Sequence, residues 1–362
     1  MRPALLLAVL LLPQHTGLAQ KKPASVDGYV RRFTRTYNIP GAAVSIVRNG
    51  NVVKAAGYGT ANLELNVPVG AHSVFEIGSI TKQFTAEAIM MLIELGKLGL
   101  DDPVSRYIPD LPSAWDGIHI RHLLTHTSGL YDWESDTATA FSLTREYTAS
   151  EFITLVGSQP LAFNPGSRFA YTNSAYPLLG LVIERVSGIP YERFIRERIF
   201  TRAGMTETRI RDNFGLVRNR ASGYADSGSV FRNGQPLRPR ILAANGLILS
   251  TASDMARWMI ALLDDAIVTK ASATTMSTPT RLANGSAVPF LGIGWFLGSA
   301  AGHRYMAHNG STAAGFSSVV YIFPDDALGV TVLLNIDRGD AVNRLATNIA
   351  AFYLPGVGMP AK

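Results

Sequence analysis

The sequence predicts an α/β protein of the α+β type, an antiparallel β-sheet flanked by helices beside a mostly helical region. Three observations carry this prediction. Asn49-Gly50 stands between the apolar runs at 43–47 and 52–56, and Asn-Gly in that setting is a strong short-range hairpin signal. Strand-type runs return only near the other end, between about 290 and 335. The stretch from about 80 to 265 combines helical spacing with loops rich in Gly, Pro, Ser and Asn,. Strands at both ends with helices between them place the two terminal segments in one sheet.

The elements follow in order. Arg2, the apolar run 4–12 and the small-residue site Gly17-Leu18-Ala19 read as an export signal over 1–19,. The run is too short for a bilayer core, which takes about 20 helical residues. The expectation is therefore an exported protein, periplasmic or secreted, with one domain over 26–353. A first helix is predicted over 26–37, ending before Ile39-Pro40-Gly41, and the hairpin follows. A long helix follows Ser79, with Ile80, Phe84, Ala88, Met91, Leu92 and Leu95 at helical spacing,. A helix-like run at 178–183 comes after the turn Asn164-Pro165-Gly166-Ser167. Strands are expected at 294–297, 304–307, 316–323 and 329–335, and a closing helix at 341–353. The short Asp325-Asp326 turn between the last two strands favours antiparallel pairing. The sheet is thus drawn from 40–60 and 290–335.

Composition narrows the function. The chain has no cysteine, which removes thiol nucleophiles, cysteine zinc sites and a lipidated anchor. With 47% hydrophobic and 17% charged residues, it is a core-forming chain rather than a disordered one. The formal charge of +6 is scattered, a pattern of a mildly basic solvated surface and not of a nucleic-acid site. No G-x-S-x-G elbow, G-x-G-x-x-G or phosphate-binding G-x-x-x-x-G-K occurs, so neither an α/β-hydrolase nor a nucleotide cofactor is implied. His122 and His126 have zinc-ligand spacing, but position 123 is Leu rather than Glu, and no metal or other cofactor is expected,.

Three groups carry chemistry. Ser79-Ile80-Thr81-Lys82 is the only S-x-x-K in the chain and offers a nucleophile and a base on one helical face,. The start of a helix adds free N–H groups that favour an oxyanion. Tyr171-Thr172-Asn173 is the only Y-x-N. His308-Asn309-Gly310-Ser311 lies between two runs that read as strands.

These motifs, in this order, resemble those of the penicillin-recognising serine hydrolases. That superfamily includes class C β-lactamases, D-Ala-D-Ala carboxypeptidases, D-aminopeptidases and β-lactamase-like esterases. Further matching segments are His122 to Leu130, Pro165-Gly166, Asn245-Gly246-Leu247 and Ser250 to Met255. The resemblance spans roughly 26–353. It implies the β-lactamase/transpeptidase-like fold, with the site in the cleft between sheet and helical region. It implies that Ser79 is the nucleophile, that Lys82 and Tyr171 manage the proton, and that the backbone N–H groups of Ser79 and Ser311 form the oxyanion hole. Asn173 is expected to bond the substrate's acyl side, with His308, Gly310 and Ser311 on the opposite wall.

Two expectations concern protonation. A nearby Lys82 ammonium should depress the Tyr171 pKa. His308 stands where most β-lactamases carry lysine, and acidification toward pH 6 should charge it. The sequence reading is an exported hydrolase of esters or small D-residue peptides. The alternatives are a β-lactamase and a non-catalytic binder or sensor that keeps the pocket.

Overall fold

The computed structural model describes residues 25–134, 141–226, 230–235 and 239–358, and the expected export segment lies outside them. Helix α1 is Val26–Thr36, opened by Ser25, whose hydroxyl accepts the Gly28 N–H at 3.1 Å,. Strands β1 (Gly41–Arg48) and β2 (Asn51–Asn62) form the hairpin. Asn49 and Gly50, at φ 50° and 72°, turn it in left-handed backbone, as a two-residue turn of this kind requires,. The short β3 (Val67–Pro68) pairs with the far end of β2.

Three helices matter in the middle: α2 (Thr81–Glu94), α3 (Ala175–Ser187) and α4 (Ala252–Leu263). The chain then returns to the sheet as β4 (Phe296–Ala300), β5 (His303–Thr312), β6 (Phe316–Phe323) and β7 (Leu328–Leu334), and closes with α5 (Gly339–Ala350). The seven strands run in the order β4-β5-β6-β7-β1-β2-β3, antiparallel throughout. The predicted class and the two-ended origin of the sheet are both present.

Both faces of the sheet are covered, so β1 is buried from Gly41 to Val47. The strand's two-residue period sorts its side chains between two cores. Ala42, Val44 and Ile46 join α1 and α5 on one face, together with Val330, Val332 and Leu334 of β7. Ala43 and Val47 join the larger core that fills the helical region.

Two local expectations change. Helix α2 is not one-sided: every residue from Thr81 to Met90 is buried, and Phe84 stacks on Trp258 of α4 at 4.1 Å. Leu95, expected at its apolar spacing, falls at the C-cap and is 66% exposed. The segment His308 to Ser311 does not lie between strands but inside β5, which runs unbroken through Gly310 because β6 pairs with it residue by residue, His308 with Val320 and Ser311 with Ser317.

Ile46 of β1 is fully buried between β2 and β7. Ile46→Ala is expected to cost about 2–5 kcal/mol of stability, read as a lowered midpoint in urea unfolding with an unchanged slope.

Candidate active site

The site is built around one turn. Phe75 and Glu76 pair antiparallel with Ser250 and Leu249. The Ile77 N–H donates to the Ile248 carbonyl at 3.0 Å, and the Ile248 N–H donates to Thr81 Oγ1 at 3.3 Å. Between these anchors a single 3₁₀ turn, Gly78–Ile80, leads into α2 and presents Ser79 just ahead of the helix.

Strand β5 lies directly against this turn, and two glycines let it do so. A Cβ on Gly310 would stand 2.2 Å from the Ile77 carbonyl oxygen and 2.9 Å from the Ser79 nitrogen. Gly78, at φ 51°, takes the left-handed backbone that glycine adopts without strain, and a Cβ there would stand 2.9 Å from the Ser311 nitrogen,. The backbone nitrogens of Ser79 and Ser311 therefore meet across the glycine contact. Ser318 of β6 closes it by donating its hydroxyl to the Ile77 carbonyl at 2.7 Å.

Lys82, in the first turn of α2, is fully buried. Its Nζ stands 2.9 Å from Ser79 Oγ, 3.0 Å from Asn173 Oδ1 and 3.2 Å from the Asn245 carbonyl oxygen. An ammonium would donate all three hydrogens here. The neutral amine keeps the two bonds to Asn173 and Asn245 and turns its lone pair to Ser79. Burial pulls the amine down to about 7, against the carboxylates of Glu134 and Asp132, which favour the charged form,.

Tyr171 sits over this lysine, its ring centroid 5.0 Å from Nζ. His126 stacks on the ring at 4.2 Å, and the Phe296 ring lies 6.3 Å from it. Burial pushes the phenol well above its ordinary value, and a hydrogen bond to Ser79 offsets only part of that. This overturns the expected depression by Lys82: the site that holds the ammonium close also removes water from the phenolate, and desolvation wins.

His126 reaches its place through left-handed backbone, φ 53°, and its Nδ1 accepts the Thr172 N–H at 3.3 Å. His122 Nδ1 instead accepts the His119 N–H at 3.1 Å, at the start of a short helix. Both histidines of the zinc-like spacing are thus engaged with backbone.

A loop that carried no motif holds the Tyr171–Asn173 segment. Asp132 Oδ1 accepts the Asn173 N–H at 2.9 Å, and the Trp133 indole donates to the Asn173 carbonyl at 3.1 Å. Asn173 Nδ2 donates to Glu134. The amide expected to face the substrate is therefore shared between Lys82 and Glu134. Burial, then the Asp132 charge, raises the Glu134 carboxyl, while Lys82 opposes the shift.

His308 is buried beside Tyr171 and Phe296, and its Nδ1 lies 2.7 Å from the Asn309 carbonyl oxygen. Burial, with Lys82 nearby, pulls it down to about 3. The expectation that pH 6 would charge it fails, because the ring lacks the water that an imidazolium needs.

The cleft is lined by Ser79, Trp133, Glu134, Asn173, Asn245 and, from the strand, Ser311 to Ala313, among others. The structure thus brings Ser79, Lys82, Tyr171, Asn173, His308, Gly310 and Ser311 together from three distant segments. The backbone of Asn245 and the side chain of Glu134 join them. Asn245-Gly246-Leu247 was visible as a matching segment, whereas Glu134 gave no sequence signal. Chemically, the arrangement sets a hydroxyl against an amine that burial makes easier to neutralise, beside the backbone nitrogens of Ser79 and Ser311, the parts of covalent nucleophilic catalysis,.

Comparison with known proteins agrees with this geometry. Penicillin-binding protein 4* of Bacillus subtilis (strain 168) is 30% identical over 331 residues, which is 85% of this chain and 72% of that protein. Other curated relatives are longer, and the chain spans 64% of the length of several of them. The octameric penicillin-binding protein homologue from Pyrococcus abyssi superposes with a TM-score of 0.77 at 27% identity, covering 91% of this chain and 76% of that one. D-amino acid amidase from Ochrobactrum anthropi SV3, solved with L-phenylalanine amide, has the same fold, with a TM-score of 0.76 at 23% identity and coverage of 90% and 97%. The beta-lactamase family model matches residues 26–354. The chain therefore belongs to the beta-lactamase family, and the protein is a serine hydrolase of that kind.

Proposed function

We propose that the protein hydrolyses esters or small peptides, D-residue peptides included, through an acyl-enzyme on Ser79. The observation that supports this is the fully buried Lys82 amine 2.9 Å from Ser79 Oγ. Neutral Lys82 takes the Ser79 proton as Oγ bonds to the carbonyl carbon. The carbonyl oxygen becomes an oxyanion facing the N–H groups of Ser79 and Ser311. Collapse breaks the bond to the leaving group. Tyr171, held protonated, gives its proton to that group and is reprotonated by the Lys82 ammonium. Water then attacks the acyl carbon, its proton passes to the same groups, and Ser79 Oγ recovers one on release. Tyr171 thus acts as an acid and relay rather than as the phenolate base first expected. Export through residues 1–19 belongs to the same reading.

His308 is neutral and buried behind the cleft lining rather than in it, so it offers a substrate carboxylate no cation. Uncharged esters and peptides are therefore favoured over anionic β-lactams.

Ser79→Ala is expected to abolish turnover of a nitrophenyl ester and labelling by a fluorophosphonate, with the thermal midpoint nearly unchanged. Intact-protein mass spectrometry should place the wild-type adduct on Ser79, and an adduct elsewhere removes the assignment. For pH, the amine's value in the fold lies below its ordinary 10.5, so the neutral, base-competent form accumulates as pH rises. On a neutral ester, kcat/KM should climb about tenfold per pH unit below about 7, and level off above it. Because His308 stays neutral, the preference for neutral esters over cephalosporins should persist from pH 8 to pH 6, and His308→Lys should narrow it at both.

A further inference from the structure

Outside the cleft, two large apolar side chains stand almost wholly in water. Phe214 and Leu216 are each 96% exposed, on the loop that runs from Arg211 to Arg220. Exposed apolar residues scattered singly are ordinary. A pair held out together on one fixed tip is a different feature.

The feet of this loop are clamped to the strand that leads into the nucleophile turn. Arg211 Nη1 lies 2.9 Å and Arg220 Nη2 3.2 Å from the same oxygen of Glu76, a buried carboxylate. The Arg211 N–H donates to the Leu247 carbonyl at 2.8 Å, and the Val74 N–H to the Asn219 carbonyl at 2.9 Å. At the tip, Asp212 Oδ1 accepts the Phe214 N–H at 2.9 Å,. Base and turn together hold the two side chains out in solvent.

Charge around the tip is mostly of one sign. Residues 209–220 contain four arginines and one aspartate, a formal +3. Arg211 and Arg220 share Glu76, and Asp212 is engaged by the loop's own backbone. Arg209 and Arg218 are exposed, and their side chains make no ion pair among the described residues. Two apolar side chains are far too little area for a stable protein interface, which buries about 800 Å² on each partner. They suffice at a bilayer surface, where a few inserted apolar groups and flanking cations add together.

We propose that this loop docks on an anionic phospholipid surface, Phe214 and Leu216 entering the headgroup region and Arg209 and Arg218 pairing with lipid phosphates. The Asn213 side chain and the Arg240 N–H both donate to Glu146, on the segment that carries Leu143. Leu143 and Leu242 line the cleft. Docking therefore sets the mouth of the Ser79 cleft beside the lipid, and it needs no chemistry at Ser79.

The reporter belongs on the loop, because residues 4–12 are themselves apolar and offer lipid a second route. The four native tryptophans are all buried, so Phe214→Trp supplies an exposed indole at the tip. In the full-length variant, vesicles of mixed phosphatidylcholine and phosphatidylglycerol should shift that indole's emission to shorter wavelength and shield it from acrylamide. The same shift should need at least about fivefold more lipid with pure phosphatidylcholine. Adding Leu216→Ser should weaken the partition about tenfold. Adding Arg209→Glu and Arg218→Glu should weaken it about tenfold or more, and raised salt should weaken it as well. An indole that stays in water with anionic vesicles overturns the proposal, as does an equal response to uncharged ones. A shift that follows protein concentration without vesicles assigns the tip to a second copy of the chain and likewise overturns it.

Discussion

Burial of one amine organises this site. An ammonium removed from water loses solvation that few local contacts replace, and Lys82 is surrounded by acceptors in number equal to its hydrogens. Each acceptor belongs to a different part of the chain, one to the nucleophile turn, one to the segment ahead of α3 and one to the segment ahead of α4. The lysine thereby ties the helical region together at the point where chemistry is wanted. The same burial that makes the amine expensive when charged makes it available as a base near neutral pH. It also keeps the neighbouring phenol protonated and His308 uncharged, so a single desolvated pocket assigns three protonation states at once.

The sheet supplies the other half. Gly78 and Gly310 bring two backbone nitrogens into one place without any side chain between them. Ser318 holds the Ile77 carbonyl with its hydroxyl, which fixes the turn that carries Ser79. These are backbone positions held by a seven-stranded scaffold with cores on both faces, which is how donors stay aimed with little reorganisation.

Much of this was readable in the chain. Asn49-Gly50 specified its hairpin because left-handed backbone at two successive positions leaves few residue choices, and 316–323 matched β6 because Val319 to Phe323 is an unbroken run of strand-forming β-branched and aromatic residues,. The serine and lysine were legible because their spacing is a property of the helix. Strand β5 was shortened because Asn309 and Gly310 are weak strand formers, and only cross-strand pairing with Ser317 and Ser318 carries the strand through them. The protonation states were misjudged for a related reason. The family resemblance implies proximity of Lys82 to Tyr171, whereas the sign of the shift depends on how much water the assembled walls exclude. Glu134 was invisible because its place beside Asn173 is made by a loop contact some forty residues long in sequence.

The distances in sequence between Lys82, Asn173 and Asn245 have a kinetic consequence. A chain in which α2 has formed but the two asparagine segments have not docked leaves the lysine in water, fully protonated at neutral pH, and the serine without a base. Reactivity then appears only when contacts 91 and 163 residues apart have closed, and such long-range contacts tend to close slowly. The nucleophile is switched on by completion of the fold itself, so nascent and misfolded copies carry an inert hydroxyl rather than an unshielded acyl-transfer centre.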